Sequence, residues 1–99
     1  MPKRKVRLVP DATGQFKALS VAERSRLKAA MQASLGDDDA SVPNRNRFAL
    51  RRVSQQSELE FRDGNLRAFY RIVEDEVWVD AIGRKVNNQL LIGNKRVTI

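Results

Sequence analysis

An α+β fold, a small and mainly antiparallel sheet with a helix pair on one face, is what this sequence predicts. Three observations predict it. The stretch Glu58 to Ile72, ELEFRDGNLRAFYRI, alternates apolar and polar residues on either side of a turn signal. Helical spacing of apolar residues is confined to the segment between Ala12 and Leu35. Every later apolar run is short and is joined to the next by turn-forming residues, which favours antiparallel neighbours over parallel ones. The expected order is strand, two helices, then three or more strands (β-α-α-β-β-β).

Val6 and Leu8 alternate with Arg7 and lead into Val9 and Pro10, so a first strand is expected there, stopped by a proline that lacks a ladder donor. Asp11 then stands where a helix N-cap belongs. Ala12, Phe16 and Leu19 follow at helical spacing and can lay one apolar stripe on a sheet. Ser20 and Glu23 have the spacing of a capping box, which satisfies two amides that a helix start leaves orphaned. Leu27, Ala30, Met31, Ser34 and Leu35 share one face of that second helix, and Gly36 with Asp37, Asp38 and Asp39 ends it. Arg24, Arg26 and Lys28 lie mostly off that face, either solvated or available to phosphate.

Residues Asp37 to Arg47 are poor in apolar side chains and read as a surface loop. Arg45, Arg47, Arg51 and Arg52 form the densest cationic stretch in the chain, and Phe48 and Leu50 are expected to anchor it to the core. Guanidinium groups this close repel one another unless water, a phosphate or a carboxylate intervenes. The hairpin comes next, with Asp63, Gly64 and Asn65 supplying the backbone freedom of a tight turn. Its second arm carries Leu66, Ala68, Tyr70 and Ile72 on one face, and Phe69 and Val73 among arginines on the other. A strand with apolar groups on both faces is central in its sheet. Glu74 to Glu76 form a turn, Val77 to Ile82 a further strand with Trp78, and Leu90 to Ile92, Gly93-Asn94 and Val97 to Ile99 a small β extension.

Ninety-nine residues with 41% hydrophobic content fit one domain, spanning residues 1–99. Nineteen Lys and Arg against twelve Asp and Glu leave a net charge of +7, which favours nucleic acid, an anionic surface or an acidic protein as partner. The chain has no histidine. That removes imidazole acid–base catalysis, Ser-His triads and imidazole metal ligation together. It has no cysteine either, which fits a reducing compartment. No apolar run approaches the roughly 20 residues that span a bilayer. A cytoplasmic protein with no membrane partner, no metal and no cofactor is expected.

The residues of the hairpin carry the functional expectation. Arg62 and Arg67 flank its turn, and Glu58, Glu60 and Arg71 belong to the same small area. Together with Lys85 these groups can supply a base and cations around a phosphate, or they can simply pair across the hairpin.

With that order on the page, the sequence resembles the RelE/ParE superfamily of small bacterial toxins. The likeness runs through VPDATGQFKAL, a second helix, the hairpin ELEFRDGNLRAFYRI, and VWVDAIGRK with its short hydrophobic tail. Its most specific part is Leu59, Glu60, Phe61 and Arg62 followed by Arg67, Phe69, Tyr70 and Arg71. The resemblance implies the toxin of a type II toxin–antitoxin system, held in a hetero-oligomer by a cognate antitoxin. In the RelE branch it implies a metal-independent endoribonuclease that cleaves messenger RNA on the ribosome, with Arg67 and Lys85 at the scissile phosphate. The ParE branch implies a non-nuclease that inhibits DNA gyrase, and a degenerate, purely partner-binding member is a third reading. Where the RelE branch has lysines on the first hairpin arm and a tyrosine near the C-terminus, this chain has Glu58, Glu60 and Leu91. Glu60 or Glu58 is then the candidate base, with Arg67, Arg62 and Lys85 as cations. Arg45, Arg47, Arg51, Arg52, Arg71 and Arg84 are the candidate RNA contacts.

Overall fold

The computed structural model describes residues 3–50, 57–92 and 95–97. Strand β1 (Lys5–Leu8) is followed by helices α1 (Pro10–Lys17) and α2 (Val21–Met31), a π-helical turn over Gln32–Asp37, and strands β2 (Arg47–Ala49), β3 (Leu59–Asp63), β4 (Leu66–Val73), β5 (Glu76–Val86), β6 (Gln89–Ile92) and β7 (Lys95–Val97). The strands form one sheet in the order β2-β3-β4-β5-β6-β7, all neighbours antiparallel, with β1 parallel to β5. The expected α+β class and the central place of β4 are both borne out.

Pro10 does more than stop a strand. It is the first residue of α1, where its missing amide costs nothing, and Val9 rather than Asp11 is the N-cap. Asp11 lies in the first helical turn instead, where a carboxylate favours the positive end of the helix dipole. At α2 the capping box forms as its spacing predicts: the Glu23 amide donates to Ser20 Oγ, and the Ser20 amide donates to Glu23 Oε1. The backbone amide of Ser20, the largest influence, holds the Glu23 carboxyl below its ordinary value, with Arg84 and Arg26 helping.

Ala12, Leu27, Met31 and Leu35 pack from the helical layer on Leu59, Phe61, Leu66, Ala68, Tyr70, Val77, Val79 and Ile82 of the sheet, all buried. Tyr70 lies wholly inside. Its hydroxyl donates to the carbonyl of Ala40 at 2.7 Å, and burial pushes the phenol far above its usual range.

The hairpin turn leaves two residues between Asp63 and Leu66, and the positive φ falls on Gly64 (58°). The β5–β6 turn uses Asn87 and Asn88, both at positive φ (51° and 65°), as a tight hairpin requires. Strand β5 runs to Val86, well past the expected end at Ile82. It is also bulged: Phe69 pairs with Ala81 and Tyr70 with Val79, leaving Asp80 as the extra residue. One edge of β5 serves two partners, β1 along Glu76–Val79 and β6 along Gly83–Val86. Between them the Ile82 amide donates to Gln15 Oε1 at 2.7 Å, so a side chain of α1 closes the gap in the ladder.

Two expectations need correction. Arg47, expected at the end of a surface loop, opens the three-residue strand β2, which pairs with β3; Arg47 is its inward residue at 3% exposure, whereas the expected anchors Phe48 and Leu50 are only partly buried. The last strand lies at Lys95–Val97, ahead of the expected Val97 to Ile99; Gly93-Asn94 is outside the described residues.

Candidate functional site

The sheet face turned away from the helices is built by register. Directly opposed residues of an antiparallel pair share a face. Glu60 stands opposite both Phe48 and Phe69, Arg62 opposite Arg67, and Arg67 opposite Gly83, while Arg71 stands opposite Trp78. Leu59, Phe61, Leu66, Ala68 and Tyr70, the intervening residues, fill the core. Alternation therefore places Glu60, Arg62, Arg67, Phe69 and Arg71 together on the side away from the helices, where Glu60 and Phe69 are themselves buried.

Two arginines directly opposite each other repel unless an anion lies between them. Glu60 is that anion. Its Oε1 accepts from Arg62 Nε at 3.1 Å, and its Oε2 lies 3.7 Å from Arg67 Nε. Arg67 is curled back on the turn, its Nη1 donating to the carbonyls of Gly64 at 2.7 Å and Leu66 at 2.9 Å. Arg62 lies over the Phe48 ring, 3.9 Å from its centroid. The two cations differ in access: the Arg67 side chain is 11% exposed and that of Arg62 42%. Burial lowers the Arg67 guanidinium below its ordinary value; Glu60 opposes that and Arg62 adds to it.

Farther along the same face lies a second group. Arg71 Nε donates to Asp80 Oδ1 at 3.1 Å, Ser57 Oγ donates to Asp80 Oδ2 at 2.9 Å, and the Arg71 guanidinium stands 5.7 Å from the centroid of Trp78. The bulge is what swings Asp80 into this position. Sequence reasoning missed Ser57, Asp80 and the part of Trp78 here. The alternation of Val77 and Val79 with Trp78 carried the signal for the indole; nothing local signalled the bulge.

The remaining expected site residues are scattered. Lys85 is exposed and, by alternation from Gly83, belongs to the face of Arg67; its amide donates to the Asn65 carbonyl at 2.7 Å, beside the hairpin turn. Glu58 is exposed at the mouth of the hairpin, and its carboxylate makes no ion pair among the described residues. Arg45 is exposed in the loop before β2. Arg84 faces the helices, its Nη2 donating to Glu23 Oε1 at 2.6 Å, and so stands on the wrong side of the sheet to join Arg67. Arg47 is likewise no surface cation. Its Nε donates to the Val42 carbonyl, and its Nη1 donates to Ser34 and to Asp38 Oδ2, because a buried guanidinium must find acceptors inside. Arg51 and Arg52 are outside the described residues.

No group of His, Cys, Asp and Glu among the described residues could hold a metal ion, and no described helix is long and apolar enough to cross a membrane. What this face offers is a carboxylate between two guanidiniums, fixed by carbonyls and an aromatic ring, with Lys85 farther along the same face. Such a set can take a proton from a hydroxyl and stabilise charge growing on a phosphate.

No protein-family model matches the sequence, and no curated protein matches it by sequence. Among solved structures the chain is similar to one from the RelBE2 toxin–antitoxin complex of Mycobacterium tuberculosis. The TM-score is 0.66 at 20% identity, over 85% of this chain and 93% of that one. At that identity the likeness is one of fold: the chain has the RelE-like fold that its hairpin and element order imply.

Proposed function

We propose that this chain is the toxin of a type II toxin–antitoxin pair, acting in the cytoplasm as a metal-independent endoribonuclease on messenger RNA engaged by the ribosome. The observation that carries the reading is Glu60, held between Arg62 and Arg67 on the side of the sheet away from the helices, in a fold that matches a chain of a toxin–antitoxin complex. A cognate antitoxin, acidic where it meets this basic chain, is the partner that keeps the protein inactive.

In the proposed reaction the scissile phosphate lies against Arg67 and Lys85. Arg62, the more exposed guanidinium, turns from Glu60 to the phosphate and frees the carboxylate. Glu60 then takes the proton of the ribose 2′-hydroxyl. The 2′ oxygen forms a bond to phosphorus, the bond from phosphorus to the 5′ oxygen breaks, and the departing oxygen takes a proton from solvent. The products are a 2′,3′-cyclic phosphate and a 5′-hydroxyl. Arg67 stabilises the charge that builds on the phosphorus oxygens, and carbonyl bonds that already fix it mean little reorganisation is needed.

The test is primer extension on an abundant message in a translating extract. Translation-dependent cleavage sites are expected from the wild type and not from an Arg67→Ala, Lys85→Ala double variant. Inhibition of growth with intact message and blocked supercoiling would instead make this a gyrase inhibitor.

A further inference from the structure

Ser57, Arg71, Trp78 and Asp80 take no part in the reaction above, yet they repeat the arrangement around Arg62. In both places a carboxylate accepts from an arginine Nε at 3.1 Å, Glu60 for Arg62 and Asp80 for Arg71. In both the guanidinium faces an aromatic ring, Phe48 or Trp78. An arginine tied down by Nε and backed by a ring keeps its two Nη groups as a fork, the shape that matches two oxygens of a phosphate. Asp80 is itself pinned, its second oxygen taken by Ser57 and its side chain only 11% exposed, so it orients Arg71 without presenting a free anion to the face.

Placement gives the pair meaning. Arg67 and Arg71 stand four residues apart on one face of β4 with Phe69 between them, a separation of about 13 Å at the ordinary strand rise. A stacked strand advances about 3.4 Å per nucleotide, so that length exceeds the reach of a dinucleotide.

We propose that Arg71, positioned by Asp80 and backed by Trp78, is a second phosphate subsite for the same single-stranded RNA whose scissile phosphate lies at Arg67, so that the RNA runs along β4. This rests on the ribonuclease reading and extends it from a point of chemistry to a track. The subsite sets which stretch of RNA is held, and the Glu60 site sets where it is cut.

The chain has a single tryptophan, so its emission arises at this subsite. The experiment titrates the full chain with a non-cleavable 2′-deoxy hexamer and a dinucleotide across a salt series. The hexamer is expected to change Trp78 emission, and the dinucleotide, too short to span both arginines, to bind without a comparable change. Arg71→Gln is expected to weaken hexamer binding about tenfold. It should also shrink the slope of log affinity against log salt by about 0.7, the share of one phosphate on a single strand. Arg71→Lys, which keeps the charge and loses the fork, should lose affinity while retaining the slope.

A saturating hexamer that leaves the emission unchanged overturns the subsite, as does an unchanged salt slope in Arg71→Gln. A glutamate hexapeptide that binds as well and shifts emission as much as the RNA overturns it too, assigning the arginine to a protein partner. If hexamer binding depends on Arg67 and not on Arg71, the track fails and the ribonuclease reading survives. If neither oligonucleotide binds the wild type, the track fails, and the ribonuclease reading stands or falls by the primer extension above.

Discussion

The Arg47 guanidinium is satisfied within the chain, by the carbonyls of Val42 and Ser34, the Ser34 hydroxyl and Asp38, and its side chain is 3% exposed. Arg47→Ala would leave those carbonyls without a donor, and a loss of about 2–4 kcal/mol in urea unfolding is expected. Arg45→Ala, two residues away and exposed, should stay within about 0.5 kcal/mol of wild type. Tyr70→Phe deletes the only bond of a buried hydroxyl to Ala40 and should cost about 1–2 kcal/mol by the same assay. Asp39 gives the pH dependence. Ser41, through its hydroxyl first, and Arg4 hold its carboxyl down at about 2, against 3.8 ordinarily. A depressed carboxylate contributes stability that is fully present above the unfolded value and lost as pH falls toward the folded one. Stability should therefore fall between about pH 4 and pH 2, and Asp39→Asn should flatten that part of a urea-midpoint series against pH.

Among the elements, α2 and the end of β5 make the sharpest expectations. Ser20→Ala removes half of the capping box and should cost about 1 kcal/mol in chemical denaturation. At Gly83 an added Cβ would meet the Leu91 carbonyl at 2.7 Å and Ile92 Cγ1 at 2.9 Å. That contact is with backbone, so β6 must move away, and Gly83→Ala should cost about 1–3 kcal/mol and weaken amide protection along β6 in hydrogen exchange. The hairpin was legible because Leu59 and Phe61 before Asp63, Gly64 and Asn65, and Leu66, Ala68, Tyr70 and Ile72 after them, keep a period of two. The capping box was legible because its two residues lie three apart. Strand β2 was not, since Arg47, Phe48 and Ala49 hold no pattern of their own and gain one only by lying against Phe61, Glu60 and Leu59. For the same reason Arg47 and Arg84 read as surface cations: their acceptors, at Val42, Ser34, Asp38 and Glu23, come together only in the folded chain. The Glu60 cluster was visible as a set of neighbours, but the face that carries it had to wait for the helices to claim the other.

At the scale of the whole molecule, charge and stability should separate. Pairs such as Arg7–Glu76, Arg26–Asp63 and Arg84–Glu23 tie β1 to β5 and α2 to the sheet through partly exposed side chains. Raising salt from 50 to 200 mM should change unfolding free energy by less than about 1 kcal/mol. On the ribonuclease reading, affinity for RNA draws on the net +7 and should fall by far more over the same range, and a filter-binding series beside a melting series would show the two trends apart. One further consequence follows from the parallel pairing of β1 with β5. Arg7 meets Glu76 across 69 residues of sequence. A chain emerging from the ribosome in order therefore carries its first strand unpaired through the making of both helices and the hairpin, and the ladder closes only when β5 has been synthesised. Such late closure slows folding. A product that ends before β5 is then a chain whose first strand has an open edge and whose Arg67 and Arg71 lack their neighbours Gly83 and Trp78. A version ending at Asp75 should show no cooperative melting transition, whereas the full chain should fold in a single slow phase by stopped-flow fluorescence of Trp78.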